Sequence, residues 1–176
     1  MFRDVAIIGG GMSGLVSAIE VKRNYPEKSV VIFEKLEKVG KKILATGNGR
    51  CNLTNLNCKK EYYNGDSDAT LSVFQKFSPE SNILFFKQLG LYTKADSEGR
   101  VYPLSNQASS VLDALRLGIK NRRIKLVTDY TVESIENKNG YYIIGKEKFD
   151  KVENVITDYK VALSDAEVDV VYVLTP

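Results

Sequence analysis

The stretch Val5-Ala6-Ile7-Ile8-Gly9-Gly10-Gly11-Met12-Ser13-Gly14 constrains this chain more than any other. Four apolar residues in succession suit a strand buried on both faces, and Gly9, Gly11 and Gly14 then fall at the spacing G-x-G-x-x-G. The run reads as strand, tight turn, helix. Gly9 lets the chain turn out of the strand, Gly11 removes side-chain bulk where a pyrophosphate would approach the backbone, and Gly14 lets the helix pack close to the sheet. Amides of the first helical turn, those of Met12 and Ser13 among them, have no acceptor within the helix. They lie at the positive end of its dipole, which suits an anion.

Glycine-rich turns arise for many reasons, so the neighbours decide. After a predicted helix from residue 15 to about 24 comes a second apolar run, Val30-Val31-Ile32-Phe33, ending in Glu34, twenty residues beyond Gly14. A carboxylate at the tip of a second parallel strand can accept hydrogen bonds from both hydroxyls of an adenosine ribose, and its charge would repel a 2′-phosphate. Ala18, four residues after Gly14, is small on the helix face that meets the sheet. Together these features predict an α/β, Rossmann-like FAD/NAD(P)-binding domain with a parallel sheet.

The 176 residues suffice for one full domain, and 43% apolar residues give it an ordinary core. A net charge of +3, from 25 basic and 22 acidic residues, is too balanced to imply nucleic-acid or membrane partners. No apolar run reaches membrane-spanning length, so a cytoplasmic location is expected. Two cysteines, Cys51 and Cys58, make no disulfide framework. Histidine is absent, which excludes a Ser-His-Asp triad, a Cys-His pair and histidine metal ligands within these residues; no metal site is expected.

Beyond Glu34 the chain turns basic and then glycine-rich, through Lys35, Lys38, Lys41 and Lys42 to a loop over residues 46–55, Thr46-Gly47-Asn48-Gly49-Arg50-Cys51-Asn52-Leu53-Thr54-Asn55. Such a loop can lay successive N–H groups against a flat or anionic ligand, with Lys42 and Arg50 as charge partners; a solvated polar loop explains its composition equally well. Leu71, Phe74 and Phe77 then recur at every third position. Ser78-Pro79-Glu80 supplies an N-cap, a proline and an early acid for a helix over residues 79–89 that Gly90 stops. Phe74, Phe77, Phe85 and Phe86 are read as core, since helical spacing is what burial requires. A short strand over residues 100–102 ends at Pro103. Next comes a helix striped by Ala108, Val111, Leu112, Leu115 and Ile119, and extended segments over 124–127 and 130–135. A turn over 137–140 and a strand over 141–144 complete an attached β-meander.

Four blocks, residues 4–14, Glu34-Lys35, residues 39–55 and residues 99–108, together resemble bacterial FAD-dependent flavoproteins of the aminoacetone-oxidase-like kind, some of them bile-acid-pathway reductases. The first two blocks are general to FAD and NAD enzymes; the other two are far more specific, and the resemblance runs from residue 4 to about 152. It implies an FAD-dependent oxidoreductase acting on a small-molecule substrate, with NAD(P)H a candidate reductant. Gly9, Gly11, Met12, Ser13, Gly14, Glu34 and Lys35 would hold the ADP half of FAD. Lys42, Thr46, Gly47, Asn48, Gly49, Arg50, Cys51 and Asn52 would lie along the pyrophosphate and flavin, and Val132 would meet adenine through its backbone. No catalytic residue can be nominated. Cys51 is the reactive side chain of the loop, and a structural role suits it better. Substrate and oligomeric state are left open.

Residues 153–176 are expected to form a separate tail of helix plus strand, following a dinucleotide-binding domain over 1–152. Val168 to Pro176 resembles the glucose-fructose oxidoreductase and inositol dehydrogenase family instead, which suggests a chimeric or truncated chain. Read without that resemblance, the run from Val170 to Leu174 supplies a further central strand. Two alternatives to the flavoprotein reading follow: an NAD-binding dehydrogenase domain, or a non-catalytic dinucleotide-binding fragment.

Overall fold

The computed structural model describes residues 3–63, 67–138 and 141–144. The chain divides into two compact units, one made of residues up to Lys41 together with those from Gly118 on, the other of Lys42–Leu117.

In the first unit β1 (Val5–Ile8) leads into α1 (Met12–Asn24), which returns to β2 (Val30–Phe33). The two strands pair in parallel, Val5 with Val30 through to Ile8 with Phe33. Parallel pairing requires a crossover, and α1 supplies it by burying Gly14, Leu15, Ala18 and Ile19. Asp4 ties the strand starts together: its carboxylate accepts the backbone N–H of Ser29 at 2.7 Å and also bonds the Ser29 hydroxyl. Burial alone would raise the Asp4 carboxyl, but the hydrogen bonds from Ser29 outweigh it and hold the group below its ordinary value. A third strand, β6 (Lys125–Val127), joins β2 in parallel, giving the order β1-β2-β6. One sheet face presents Ala6, Val31 and Phe33, covered by Val127, Tyr130 and Val132, with the Phe33 and Tyr130 rings 5.0 Å apart. Helix α1 lies against Ile7 on the other face. Both faces of β1 and β2 are therefore covered, which is why these strands read as unbroken apolar runs.

The second unit begins with a 3-10 turn, Ile43–Ala45, and carries β3 (Thr54–Asn55), a further 3-10 turn (Lys60–Tyr62), α2 (Ser67–Lys76), α3 (Pro79–Gln88), β4 (Thr93–Ala95) and β5 (Arg100–Pro103). The strands form an antiparallel sheet in the order β3-β5-β4. Helix α4 (Ala108–Asn121) follows, its last residues belonging to the first unit. The predicted stripe Ala108, Val111, Leu112, Leu115 and Ile119 is buried throughout. Ser78 caps α3, its hydroxyl oxygen accepting the Ser81 N–H at 3.2 Å. The other end closes as a Schellman motif: Gly90, at φ +84°, donates to the Lys87 carbonyl and Leu91 to that of Phe86. A Cβ on Gly90 would meet no atom within 4 Å, so only the backbone conformation opposes a side chain there. Gly90→Ala should therefore cost about 1 kcal/mol in a urea titration, with an unchanged denaturant slope.

Several expectations shift. The loop read over residues 46–55 ends in strand β3, and β4 was not foreseen. The extended segment predicted over 130–135 forms no strand before Ile135; the strand there is β7 (Ile135–Lys138), paired antiparallel with β8 (Tyr141–Ile144). Asn137 and Lys138, read as part of a turn, belong to β7, where Lys138 pairs with Tyr141; the other two residues of that turn lie outside the described residues. Phe85 and Phe86 are core, but Phe77 is 39% exposed. The tail expected over residues 153–176 lies outside the described residues.

Candidate functional site

In the first unit the glycine turn stands at the carboxyl ends of β1 and β2, where open parallel sheets place their ligands. Gly9 leaves β1 at φ +100° and donates its N–H to the Phe33 carbonyl at 2.8 Å, locking the turn onto the end of β2. Gly11 is the N-cap of α1, with extended backbone and no side chain capping the helix, and no acid stands in the first turn. The amide end of α1 at Met12 and Ser13 thus keeps its positive partial charge. Both residues are half-buried. Gly14 is there for space: a Cβ would sit 2.0 Å from the Gly9 carbonyl oxygen and 3.4 Å from Ile7 Cγ2. The helix can follow the turn this closely only because that atom is missing.

Glu34 stands at the tip of β2, as its spacing from Gly14 predicts, and is only 8% exposed. Its carboxylate is held from two sides, accepting the Gly10 N–H at Oε2 (2.7 Å) and the Leu36 N–H at Oε1 (2.9 Å). The backbone is fixed as well, with the Glu34 N–H on the Val127 carbonyl and the Tyr130 N–H on the Glu34 carbonyl. A carboxylate oxygen has two lone pairs, so each retains capacity for one more donor. Lys35 beside it is exposed.

Gly10, left as a free position in the motif, proves structural. A Cβ there would lie 2.4 Å from Val39 Cγ1 and 3.1 Å from Glu34 Oε2, and the Gly10 carbonyl accepts the Gly40 N–H at 2.8 Å. Val39 and Gly40 thereby lie over the turn. Three glycines in succession were the available signal, but the partner that requires Gly10 is distant in sequence. Val132 is half-buried, its side chain packed on the sheet face with Ala6, Val31 and Phe33.

The second unit holds the rest of the predicted set. Lys42 is exposed and caps the turn Ile43–Ala45, whose Ile43 carbonyl accepts the Thr46 hydroxyl at 2.7 Å. Gly47, Asn48 and Gly49 are three consecutive left-handed residues at φ +55°, +55° and +77°. Gly47 is required twice over, since a Cβ would also lie 2.7 Å from the Asn52 amide nitrogen. Asn48 is among the few residues with a side chain that adopt this conformation readily. The Gly49 carbonyl accepts the Ala108 N–H at 2.8 Å, tying the loop to the start of α4. Arg50 is exposed; its Nε donates to the Gly47 carbonyl at 3.3 Å, and its guanidinium lies 4.4 Å from the centre of the Tyr102 ring.

Cys51 is buried, with a left-handed backbone at φ +59°. Burial pushes its thiol up, partly offset by a hydrogen bond with the Thr46 side chain, so it is a poor nucleophile at neutral pH. Asn52 is exposed. Among the described residues no helix is long and apolar enough to cross a membrane, and no cluster of three or more histidine, cysteine, aspartate or glutamate side chains could hold a metal ion.

A 3-dehydro-bile acid delta(4,6)-reductase of Clostridium scindens is 43% identical over 133 residues, which cover 75% of this chain and 32% of that protein. A ribosomal RNA dihydrouridine synthase of Haemophilus influenzae is 42% identical over 57 residues, covering 32% of this chain and 14% of that one. This chain thus spans about a third or less of the length of these relatives. The open conformation of a flavocytochrome c3 fumarate reductase superposes with a TM-score of 0.59 at 15% identity, over 81% of this chain and 29% of that one, a likeness of fold alone. The HI0933-like protein Rossmann domain matches residues 3–159, which include the glycine turn, Glu34 and the left-handed loop. With every described residue inside that match, this protein belongs to the HI0933-like Rossmann-domain family.

Proposed function

We propose that this chain is the dinucleotide-binding portion of an FAD-dependent oxidoreductase of the aminoacetone-oxidase-like kind. The observation that carries the reading is the pairing of an uncapped helix start at Gly11 with a buried acid, Glu34, held at the end of the neighbouring strand. The two recognise the two halves of an ADP moiety: amides of Met12 and Ser13 face pyrophosphate, and the spare lone pairs of Glu34 accept ribose hydroxyls. The donor set fits the group. It offers positive partial charge to phosphate and a carboxylate to a diol, and the Glu34 charge favours a ribose without a 2′-phosphate. When bound, FAD supplies the redox chemistry, accepting and passing on an electron pair.

The residues of the chain bind and orient. Gly11 leaves room for the pyrophosphate, Lys35 adds charge beside the acid, and Val132 offers backbone to adenine. In the second unit Lys42, Thr46, Gly47, Asn48, Gly49, Arg50, Cys51 and Asn52 are the proposed contacts of the flavin half. Gly47, Asn48 and Gly49 form a left-handed run, and the Arg50 guanidinium lies over the Tyr102 ring. The relative of 43% identity, a reductase by name, supports reduction of a small organic substrate, with NAD(P)H as the proposed electron source. Which substrate is reduced is a property of the whole protein.

The test is to purify the chain, strip any bound cofactor and titrate FAD and NAD separately. FAD is expected to bind more tightly than NAD, with a flavin absorption spectrum retained after gel filtration. Tighter binding of NAD would replace the flavoprotein reading with that of a nicotinamide dehydrogenase domain.

A further inference from the structure

Arg50 is the cation of the left-handed loop, and its surroundings set it apart from Arg100 in the same unit. Arg100 is neutralised, its Nε 2.7 Å from Asp96 Oδ2 and its Nη1 2.9 Å from Glu98 Oε2. Arg50 is exposed, and among the described residues no carboxylate pairs with it. Its Nε–H goes to the Gly47 carbonyl at 3.3 Å, while its two terminal nitrogens bond no other described residue. A guanidinium in this state presents a planar fork of donors carrying a whole positive charge, the geometry that suits two oxygens of a phosphate.

A long exposed side chain samples many rotamers, and a ligand that uses it bears the cost of ordering it. Tyr102 removes part of that cost. The guanidinium carbon of Arg50 lies 4.4 Å from the centre of the Tyr102 ring, inside the roughly 6 Å reach of a cation over an aromatic face. The ring is itself fixed: Tyr102 is 6% exposed and stands opposite Lys94 in β5, which has β3 on one side and β4 on the other. The loop backbone is fixed as well, with the Arg50 N–H on the Gly47 carbonyl at 3.2 Å and the Cys51 N–H on the Thr46 carbonyl at 3.0 Å. The exposed cation is thus carried on a buried, immobile ring.

We infer that Tyr102 is a positioning residue for Arg50, its ring face orienting the guanidinium fork for the oxygens of a phosphate group. The inference rests on the reading of the left-handed loop as part of an FAD site and names what prepares that loop for an anion. Tyr102 acts through Arg50 and is not itself a contact of the cofactor. Its ring face is the working part, because the attraction comes from the π quadrupole and not from the hydroxyl.

The test is calorimetric titration of FAD into the full chain, Tyr102→Leu, Tyr102→Phe, Arg50→Gln and the Tyr102→Leu, Arg50→Gln double variant. Tyr102→Leu is expected to weaken FAD binding about three- to fivefold, the worth of an exposed cation over a ring. Tyr102→Phe is expected to bind as the parent does. Arg50→Gln is expected to weaken binding about tenfold, with no further loss in the double variant. Parent-like affinity in Tyr102→Leu, a loss in Tyr102→Phe, or losses that add in the double variant would overturn this inference alone. A parent chain that binds no FAD would overturn it together with the flavoprotein reading. If Tyr102→Leu does not fold, the Arg50 side-chain NMR signals of the parent decide. Ring-current shifts that change on adding FAD are expected; signals at the positions of a free arginine, or unmoved by FAD, would overturn the inference.

Discussion

Gly14→Ala is expected to be the most damaging single-atom change in the first unit. The added Cβ would stand 2.0 Å from the Gly9 carbonyl oxygen, well inside the closest approach of real atoms, and the obstacle is backbone that cannot rotate aside. Gly9 is itself anchored through its N–H to the Phe33 carbonyl, so relief demands moving α1 away from the ends of both strands. Overpacking commonly costs 1–3 kcal/mol, and a clash with fixed backbone belongs at or beyond the upper end, about 3 kcal/mol or more. For a chain of this size that lowers Tm by roughly 10 °C. Scanning calorimetry checks it; a Tm within about 2 °C of the parent would mean that α1 sits loosely on the turn. Nucleotide binding should fall in parallel, since the amides of Met12 and Ser13 move with the helix.

Glu34→Gln tests the second half of the site and carries the next largest effect. The carboxylate accepts N–H groups from Gly10 at one oxygen and Leu36 at the other, and glutamine has only one oxygen to offer. One backbone donor is left facing an NH2 group, at a cost of about 1–3 kcal/mol in folding stability for an unpaired buried amide. Binding of an adenine dinucleotide should weaken by a further ~1.5–3 kcal/mol, roughly 10- to 150-fold, because the charge that strengthens the ribose hydrogen bonds is gone. Chemical denaturation and calorimetric titration separate the two losses. A destabilised variant with unchanged nucleotide affinity would make Glu34 a purely structural anchor of the turn.

Glu34 also marks how far the sequence could be read. Its place twenty residues after Gly14 made it legible as an acid at a strand tip. Its bond from the Gly10 amide was not legible, because Gly10 lies 24 positions away and only the folded turn brings it near. The parallel core was readable for a related reason: strands buried on both faces must be apolar throughout, and Val30–Phe33 is. Helix α4 declared itself through its stripe, all five predicted positions of which are buried.

Strands β3 and β4 escaped notice because two or three residues show no alternation. Their pairing is imposed by β5, which lies between them. Tyr130 and Val132 carry strand-like residue types, yet they serve as a lid on Ala6, Val31 and Phe33 without joining a ladder before Ile135. Residue type announces burial there but not the manner of it. The left-handed run at Gly47, Asn48 and Gly49 was legible as a backbone loop from its glycines; the left-handed Cys51 was not, as cysteine has no special ease in that conformation.

The central claim is that the glycine turn and Glu34 together form an ADP-binding site, and amide NMR of the labelled chain during titration with ADP tests it most directly. Saturable shifts are predicted at Gly9, Gly10, Gly11, Met12, Ser13 and Gly14 and at Leu36, whose N–H shares the Glu34 carboxylate. If ADP leaves these amides unmoved, or saturates a different set, the turn is only a strand-to-helix connection and the account is contradicted.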